Sequence, residues 1–375
     1  MDNQRFPWLP GSATGIGSMP GTDPDEAMRV IAGELPDFPY LPELPDRGPG
    51  ADLTGRTAAL LVDIAAEVTP RGWRLAERPG RDLARARTML ASDLDVLEEV
   101  LDGYRGPLKI QLCGPWTLAA TLELTRTMNQ ALSDPGAVAD LTTSLAEGTT
   151  AHVAELAKRV PGAQLVVQFD EPALPAVARG EVPTASGLSR LAAIEEEPLR
   201  ERLAQVLAAA HRYTVVHSCG NGVPFGLIRL AGADAVSFDL SQLRRGEADG
   251  VGEAAEAGMG VFAGAVPAVP GPAPAAAGPG RPGRINAGRI NTGRINTGRI
   301  NPADGSDEAR ESAERVIRLW RHLGLSLETL PDQAVITPAC GLAGATPAQA
   351  RAALTRCREA ASMLAELIEE TGGES

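Results

Sequence analysis

A chain of 375 residues with 43% hydrophobic content is long enough to bury a sizeable core, as one large domain or two ordinary ones. Aromatic residues make up only 3%, so that core must rest on Ala, Leu, Val and Ile. A net charge of −13 and a pI near 4.9 argue against nucleic acid or an anionic membrane surface as the main partner, and no apolar run approaches the length needed to cross a bilayer. The polar start Met1-Asp2-Asn3-Gln4-Arg5-Phe6-Pro7 does not resemble a signal peptide, so a cytoplasmic protein is expected. Four cysteines, at positions 113, 219, 340 and 357, are too few and too scattered for a disulfide scaffold and suit packing or metal binding.

In chain order, Thr14-Gly15-Ile16-Gly17-Ser18-Met19-Pro20 reads as a short strand opening into a glycine-rich turn. Thr22-Asp23-Pro24-Asp25 starts a helix, with a capping residue, a proline in the first turn and acids at the positive end of the dipole. Pro36 to Asp52 is rich in Pro and Gly and reads as a long loop. Leu83 to Leu101 predicts an amphipathic helix, with Leu90, Leu94, Leu97 and Leu101 on one face. Leu108 to Leu112 then predicts a strand, Asp134-Pro135 caps a helix running to about Val160, and Gln164 to Phe169 predicts another strand.

The alternation continues with a helix over Glu197 to Arg212, a strand from Tyr213, a helix near Val223 to Ala231, and strands at Ala235 to Asp239 and Gly260 to Ala265. A helix around Asp307 to Leu323, a strand at Gln333 to Thr337 and a last helix opened by Thr346-Pro347 complete the series. Strands alternating with helices predict parallel β/α units, and about eight strands predict a single α/β domain over 1–375, a (β/α)8 TIM-type barrel. One segment does not fit a compact fold. Positions 270–305 are rich in Pro, Gly and Ala and repeat Gly-Arg-Ile-Asn with a period of five, starting at Gly283, Gly288, Gly293 and Gly298. This is expected to be a disordered low-complexity insertion, because a glycine in every five residues opposes helix and strand alike.

The chemistry gathers at the predicted strand ends. In Val215-Val216-His217-Ser218-Cys219 the period-two alternation points His217 and Cys219 the same way, an imidazole and a thiol able to bind one borderline metal, although a packing role is open to both. Asp239 ends another strand, and Cys340 follows the last one in Thr337-Pro338-Ala339-Cys340-Gly341. His217, Cys219, Asp239 and Cys340 thus form a mixed nitrogen, sulfur and oxygen set that fits zinc. Cys113 and Cys357 read as packing residues. Asp170 and Glu171 are adjacent on an extended chain, so one of them is expected to face the site, where a carboxylate would hold a substrate ammonium or act as a base.

Six pieces in order, Ile16-Gly17-Ser18-Met19-Pro20, Gly114-Pro115-Trp116-Thr117, Asp170-Glu171-Pro172-Ala173-Leu174, His217-Ser218-Cys219, Asp239 and Pro338-Ala339-Cys340-Gly341-Leu342, resemble the catalytic barrel of cobalamin-independent methionine synthase. That family belongs to a superfamily shared with uroporphyrinogen decarboxylase. The resemblance implies zinc-dependent methyl transfer to the thiol of homocysteine, with His217, Cys219, Asp239 and Cys340 as metal ligands. The family's acidic ligand is usually glutamate, one methylene longer than Asp239. The resemblance also implies that homocysteine is held by the Ile16-Gly17-Ser18 turn and by Asp170, the expected catalytic-site carboxylate. Glu43, in Leu41-Pro42-Glu43-Leu44-Pro45, is a loose match to a glutamate that binds the amino group, and Trp116 is placed to stack on a flat donor or to pack.

Two departures concern the methyl donor. Full-length relatives carry a second barrel associated with folate, and they have a histidine after the strand matching Gly260 to Ala265, where this chain reads Val261-Phe262-Ala263-Gly264-Ala265-Val266-Pro267. These departures leave the methyl donor open between folate, a methylated corrinoid protein and another methylated small molecule. Two other readings stay open: alkyl transfer to another thiol, as in the coenzyme M transferases of the superfamily, and a non-catalytic zinc-binding barrel.

Overall fold

The structure is a computed structural model that describes residues 5–268 and 305–372. The expected insertion at 270–305 lies outside the described residues except for Gly305, which opens a helix. Helix α1 (Pro24–Glu34) starts as expected, Asp23 accepting from the amides of Asp25 and Glu26. After α2 (Leu53–Ala58) comes an antiparallel hairpin of β1 (Ala65–Thr69) and β2 (Gly72–Ala76), which the sequence reading had not placed. Helix α3 (Arg81–Val100) buries Leu83, Ala86, Leu90, Leu94 and Leu97 on one face. The chain continues through β3 (Gly106–Cys113), α4 (Pro115–Thr121), α5 (Pro135–Arg159), β4 (Ala163–Asp170), α6 (Leu174–Ala178), α7 (Glu196–Ala210) and β5 (Tyr213–Ser218). It ends with α8 (Phe225–Leu230), β6 (Ala235–Asp239), α9 (Arg245–Glu256), β7 (Gly260–Val266), α10 (Gly305–His322), α11 (Leu330–Gln333), β8 (Ala334–Pro338), α12 (Pro347–Ser362) and α13 (Leu364–Gly372).

Strands β3 to β8 pair in sequence order as one parallel sheet of six, curled into a half-barrel, where eight strands were expected. The difference has a local cause. The two segments that would supply the first strands are broken by Gly15 and Gly17 and by Pro36, Pro39, Pro42 and Pro45, residues that interrupt a ladder. They make only single parallel bridges, Ala13 with Ile336, Tyr40 with Lys109 and Ser18 with Glu43. Backbone hydrogen bonds nonetheless run from β8 to β3 through them: Thr14 N–H to Ile336 O at 3.1 Å, Glu43 N–H to Gly17 O at 3.1 Å and Leu41 N–H to Lys109 O at 3.0 Å.

Alternation along the strands divides the apolar residues into two clusters. Leu108, Ile110, Leu165, Val167, Val216, Val236, Val261 and Ile336 face the surrounding helices in the large cluster. Val166, Val215, Ala235, Phe262 and Val335 face the other way and join Phe6, Trp8 and Phe38 in a small aromatic plug. Trp8 stacks on Phe6 and meets Phe262 edge-on with centroids 5.1 Å apart in each case, and such pairs add to simple area burial. The plug lies toward the N-terminal ends of the strands, so the residues further along the same face, Gln168, Asp170, His217 and Ser237, make a polar layer above it. Among the described residues no helix is long and apolar enough to cross a membrane.

Helix α1 is fastened to α12 by Glu34, which is buried. Its carboxylate accepts from Arg351 Nε at 2.7 Å and Thr355 Oγ1 at 2.7 Å, with Arg358 Nη1 at 3.4 Å. Burial pushes its pKa up, but Thr355 and the two arginines outweigh it, and the net shift is downward. A lowered carboxyl pKa contributes stability above the unfolded-state value that is lost as pH falls through the folded one. Glu34→Ala is therefore expected to lower unfolding free energy by about 2 kcal/mol at neutral pH, with a smaller difference in acid, as read by urea denaturation at both pH values.

Candidate metal centre

The strand ends bring together three of the four ligands expected from sequence. His217, Cys219 and Cys340 offer ligand atoms that all lie within 4.8 Å of one another. His217 is the penultimate residue of β5, Cys219 follows that strand, and Cys340 follows β8. The two sulfurs are 3.0 Å apart, far beyond the ~2.05 Å of a disulfide, and both thiols are free. The contact with Cys219 and the nearby His217 hold the Cys340 thiol below the usual range against burial. The same contact, with burial, pushes the Cys219 thiol up.

His217 is oriented from behind. Its Nδ1 lies 2.8 Å from Ser237 Oγ on β6, the neighbouring strand. With Nδ1 protonated and donating to Ser237, Nε2 carries the lone pair, and this buried nitrogen has no hydrogen-bond partner. An orphaned imidazole nitrogen beside two thiols is a donor set that fits zinc, and a hydrogen-bonded second ring nitrogen is what such a ligand needs. Asp239 stands apart from this group. Its Oδ1 accepts from Ser241 N–H at 2.8 Å and Ser241 Oγ at 2.7 Å, capping the short turn that follows β6. Burial raises its pKa while Ser241 opposes the rise.

The adjacent carboxylates take separate places. Asp170 lies on the polar inner layer, its Oδ1 accepting from Gln168 Nε2 at 2.7 Å. Burial raises its pKa to about 6, against the pull of His217 and Lys109. Glu171 is fully buried and faces away, accepting from the amides of Trp116 at 2.9 Å and Thr117 at 2.8 Å and from Thr117 Oγ1 at 2.7 Å. It anchors α4, and a Cβ on Gly114 would fall 2.4 Å from its carboxylate, so glycine is required there. Trp116 is 2% exposed, and its indole N–H donates to Leu199 O of α7 at 3.0 Å, which makes it a packing contact between helices. Cys113 and Cys357 are both buried thiols raised by desolvation.

The Ile16-Gly17-Ser18 turn is brought against the loop that carries Cys340. Leu342 N–H donates to Ser18 O at 2.8 Å, and a Cβ on Gly341 would meet Ser18 Oγ at 2.1 Å. Glu43 sits across from this turn, buried, with Arg56 Nε 3.9 Å from its Oε1 and with that oxygen otherwise without a hydrogen bond. Burial raises its pKa to about 7, Arg56 opposing. Arg56 is itself held by Asp93 of α3, which also pairs with Arg47. Lys109, Gln111, Gln168 and Ser237 were not singled out from the sequence. The signal for Lys109 was a charge inside the apolar run Leu108 to Leu112, and for Ser237 a hydroxyl two positions before Asp239 on the same strand face.

The strand ends of a curled parallel β/α sheet, the usual place for a site in such folds, carry a His/Cys/Cys cluster that could hold a metal ion. Residues 11–275 match the family described as cobalamin-independent synthase, catalytic domain, and the chain belongs to that methionine synthase family of methyltransferases. No curated protein matches the chain. Among solved structures, it is similar to a B12-independent methionine synthase from Shewanella sp. W3-18-1, at 14% identity and a TM-score of 0.55, over 97% of this chain and 99% of that one. It is also similar to a methyltransferase from Methanosarcina mazei, at 17% identity and a TM-score of 0.53, over 96% and 94% of the two chains. At these identities the likeness to solved structures concerns the fold.

Cys340→Ser is expected to remove most bound zinc while leaving the circular dichroism spectrum unchanged; undiminished zinc in elemental analysis would remove Cys340 from the ligand set. Ser237→Ala frees the His217 ring and is expected to weaken zinc binding by about 10- to 100-fold in a chelator competition.

Proposed function

We propose that this chain is a zinc-dependent methyltransferase that moves a methyl group onto the thiol of homocysteine to form methionine. The segments around Ala13 and Tyr40 are proposed to complete an eight-stranded barrel within a single domain. The observation that carries the reading is the seat of Ser18 on Gly341, beside Cys340, which joins the turn implied to hold an amino acid to the cluster implied to hold a metal. Zinc bound by His217, Cys219 and Cys340, with Asp239 as the acidic ligand in exchange for its Ser241 contacts, would supply a thiol whose pKa falls from roughly 8.5 to below neutrality.

The remaining work falls to the chain's own groups. Glu43 and Asp170 are two scarcely exposed carboxylates, and Glu43 Oε1 is an acceptor awaiting a donor, which suits the α-ammonium of the substrate. The Ile16-Gly17-Ser18 turn would hold the rest of the amino-acid backbone. Holding both ends of the substrate fixes the direction in which its sulfur meets the donor methyl group. Histidines occur only at 152, 211, 217 and 322, and none lies on β7 or in the residues up to 305. His152 is buried in α5, where burial lowers its pKa to about 3. A donor whose leaving group needs no protonation, such as a methylated corrinoid protein, therefore suits the site better than a methylated folate.

The test begins with zinc content of the purified full chain, followed by titration with homocysteine while proton release is recorded. Methionine formation is then measured with methylated corrinoid and with methyltetrahydrofolate. One zinc per chain, a proton released and methionine produced is the expected result. Turnover of coenzyme M in place of homocysteine would point to the other thiol transferases of the superfamily. Zinc without turnover of any thiol would make this a binding protein, and no zinc at all would overturn the reading.

A further inference from the structure

Lys109 has no part in the function argued so far, yet its side chain is fully buried on the inner face of β3. Lysine is almost never fully buried without partners, because stripping water from an ammonium costs several kcal/mol. Here Nζ donates to Ile16 O at 2.7 Å and to Gln111 Oε1 at 3.2 Å, and it lies 5.2 Å from the centroid of the Tyr40 ring. Burial lowers its pKa to about 7, with Asp170 and Glu43 pulling the other way.

Its hydrogen bonds lead to both carboxylates. Ile16 O accepts a second hydrogen bond from Gln168 Nε2 at 2.8 Å, and the same amide nitrogen donates to Asp170 Oδ1. Gln111, held by Lys109 through its oxygen, donates through Nε2 to Leu41 O, two residues from Glu43, whose carboxylate it also stabilises. One ammonium thus ties together the turn at 16–18, the segment at 40–43 and the acid of β4. The groups facing Glu43 are Arg56 from α2, Asp170 from β4, Lys109, Gln111 and Cys113 from β3, and Tyr40 from the segment that carries it. Two buried carboxylates without a cation near them would favour a shared proton, and a protonated acid offers an ammonium a donor where it needs an acceptor.

We propose that Lys109 is a positioning residue: it fixes the Ile16 carbonyl and Gln111 and sets the charge between Glu43 and Asp170 so that the pair accepts the single ammonium of an amino-acid substrate. The proposal rests on the amino-thiol reading of this site and adds to it the group that organises amino recognition. Lysine to methionine keeps length and apolar stem while removing the buried charge, a replacement that cores commonly tolerate.

The test compares zinc-loaded full-length wild type, Lys109→Met and Lys109→Arg by calorimetry. The ligands are L-homocysteine and the same thiol acid lacking its α-amino group. Lys109→Met is expected to lose about tenfold or more in affinity for homocysteine and nothing for the des-amino thiol, at unchanged zinc content, with partial recovery in Lys109→Arg. Equal losses for both thiols, or none for either, would overturn the proposal. If wild type binds neither thiol, the amino-thiol reading fails on its own, and Lys109 is still decided by the Glu43 carboxyl titration followed by carbon NMR in the ligand-free chain. A midpoint raised above that of wild type in Lys109→Met supports the coupling, and an unmoved midpoint refutes it.

Discussion

The period-two alternation of six parallel strands places one row of side chains outward against helices and the other inward, and the inward row has to be satisfied without water. Toward the N-terminal ends the inward row is apolar and is closed by Trp8, Phe6 and Phe38. Above that plug it turns polar within a few residues on four of the strands: Val166 gives way to Gln168 and Asp170, Val215 to His217, Ala235 to Ser237, and Val335 to Thr337. Such a layer needs partners for its buried groups, and several of them come from the two irregular segments. The carbonyls of Ile16 and Leu41, free of a regular ladder, accept from Lys109, Gln168 and Gln111. The broken backbone at 12–19 and 40–43 is therefore useful, since a regular strand would have spent those carbonyls on its neighbour.

Among the described residues of that layer, Glu43 Oε1, His217 Nε2, Gln168 Oε1 and Thr337 Oγ1 are buried and without hydrogen-bond partners. A buried polar atom left unpaired costs free energy, and at Glu43 and His217 a bound cation would recover that cost. Glu43 Oε1 and His217 Nε2 differ in kind, a carboxyl oxygen suited to an ammonium and an imidazole nitrogen suited to a metal.

Most of the architecture was legible because long periodic segments are self-reporting. The leucine spacing of α3, the Asp134-Pro135 start of α5 and the apolar runs of β4 to β8 all appear within two or three residues of their expected bounds. The hairpin of β1 and β2 was not, because Ala65-Ala66-Glu67-Val68-Thr69 and Gly72-Trp73-Arg74-Leu75-Ala76 are five-residue strands with little alternation and are decided by packing on α3. The first two strand-like segments were expected as one strand and one loop, and are single bridges, because tertiary hydrogen bonding rather than local pattern holds them. At the site, alternation was enough to put His217 and Cys219 on one side and to separate Asp170 from Glu171. It could not show that Asp239 turns to Ser241, since a side-chain oxygen beside a following serine amide has a local competitor that strand periodicity does not register.

The buried charges also set how the fold and the site depend on each other. Glu43 is pushed up to about 7 chiefly by burial, so near neutrality the folded chain holds a proton there that the unfolded chain has already released. A carboxyl whose pKa is raised on folding makes stability fall as pH rises from the unfolded value through the folded one. Arg56, anchored by Asp93, and Lys109 limit that loss, and neither forms a close ion pair that would occupy the free oxygen. A cation arriving at Glu43 Oε1 would lower the folded-state pKa and return the lost stability as binding energy. Keeping the carboxylate under-compensated in the free chain is thus a direct way for a rigid, largely apolar sheet to favour a positively charged ligand.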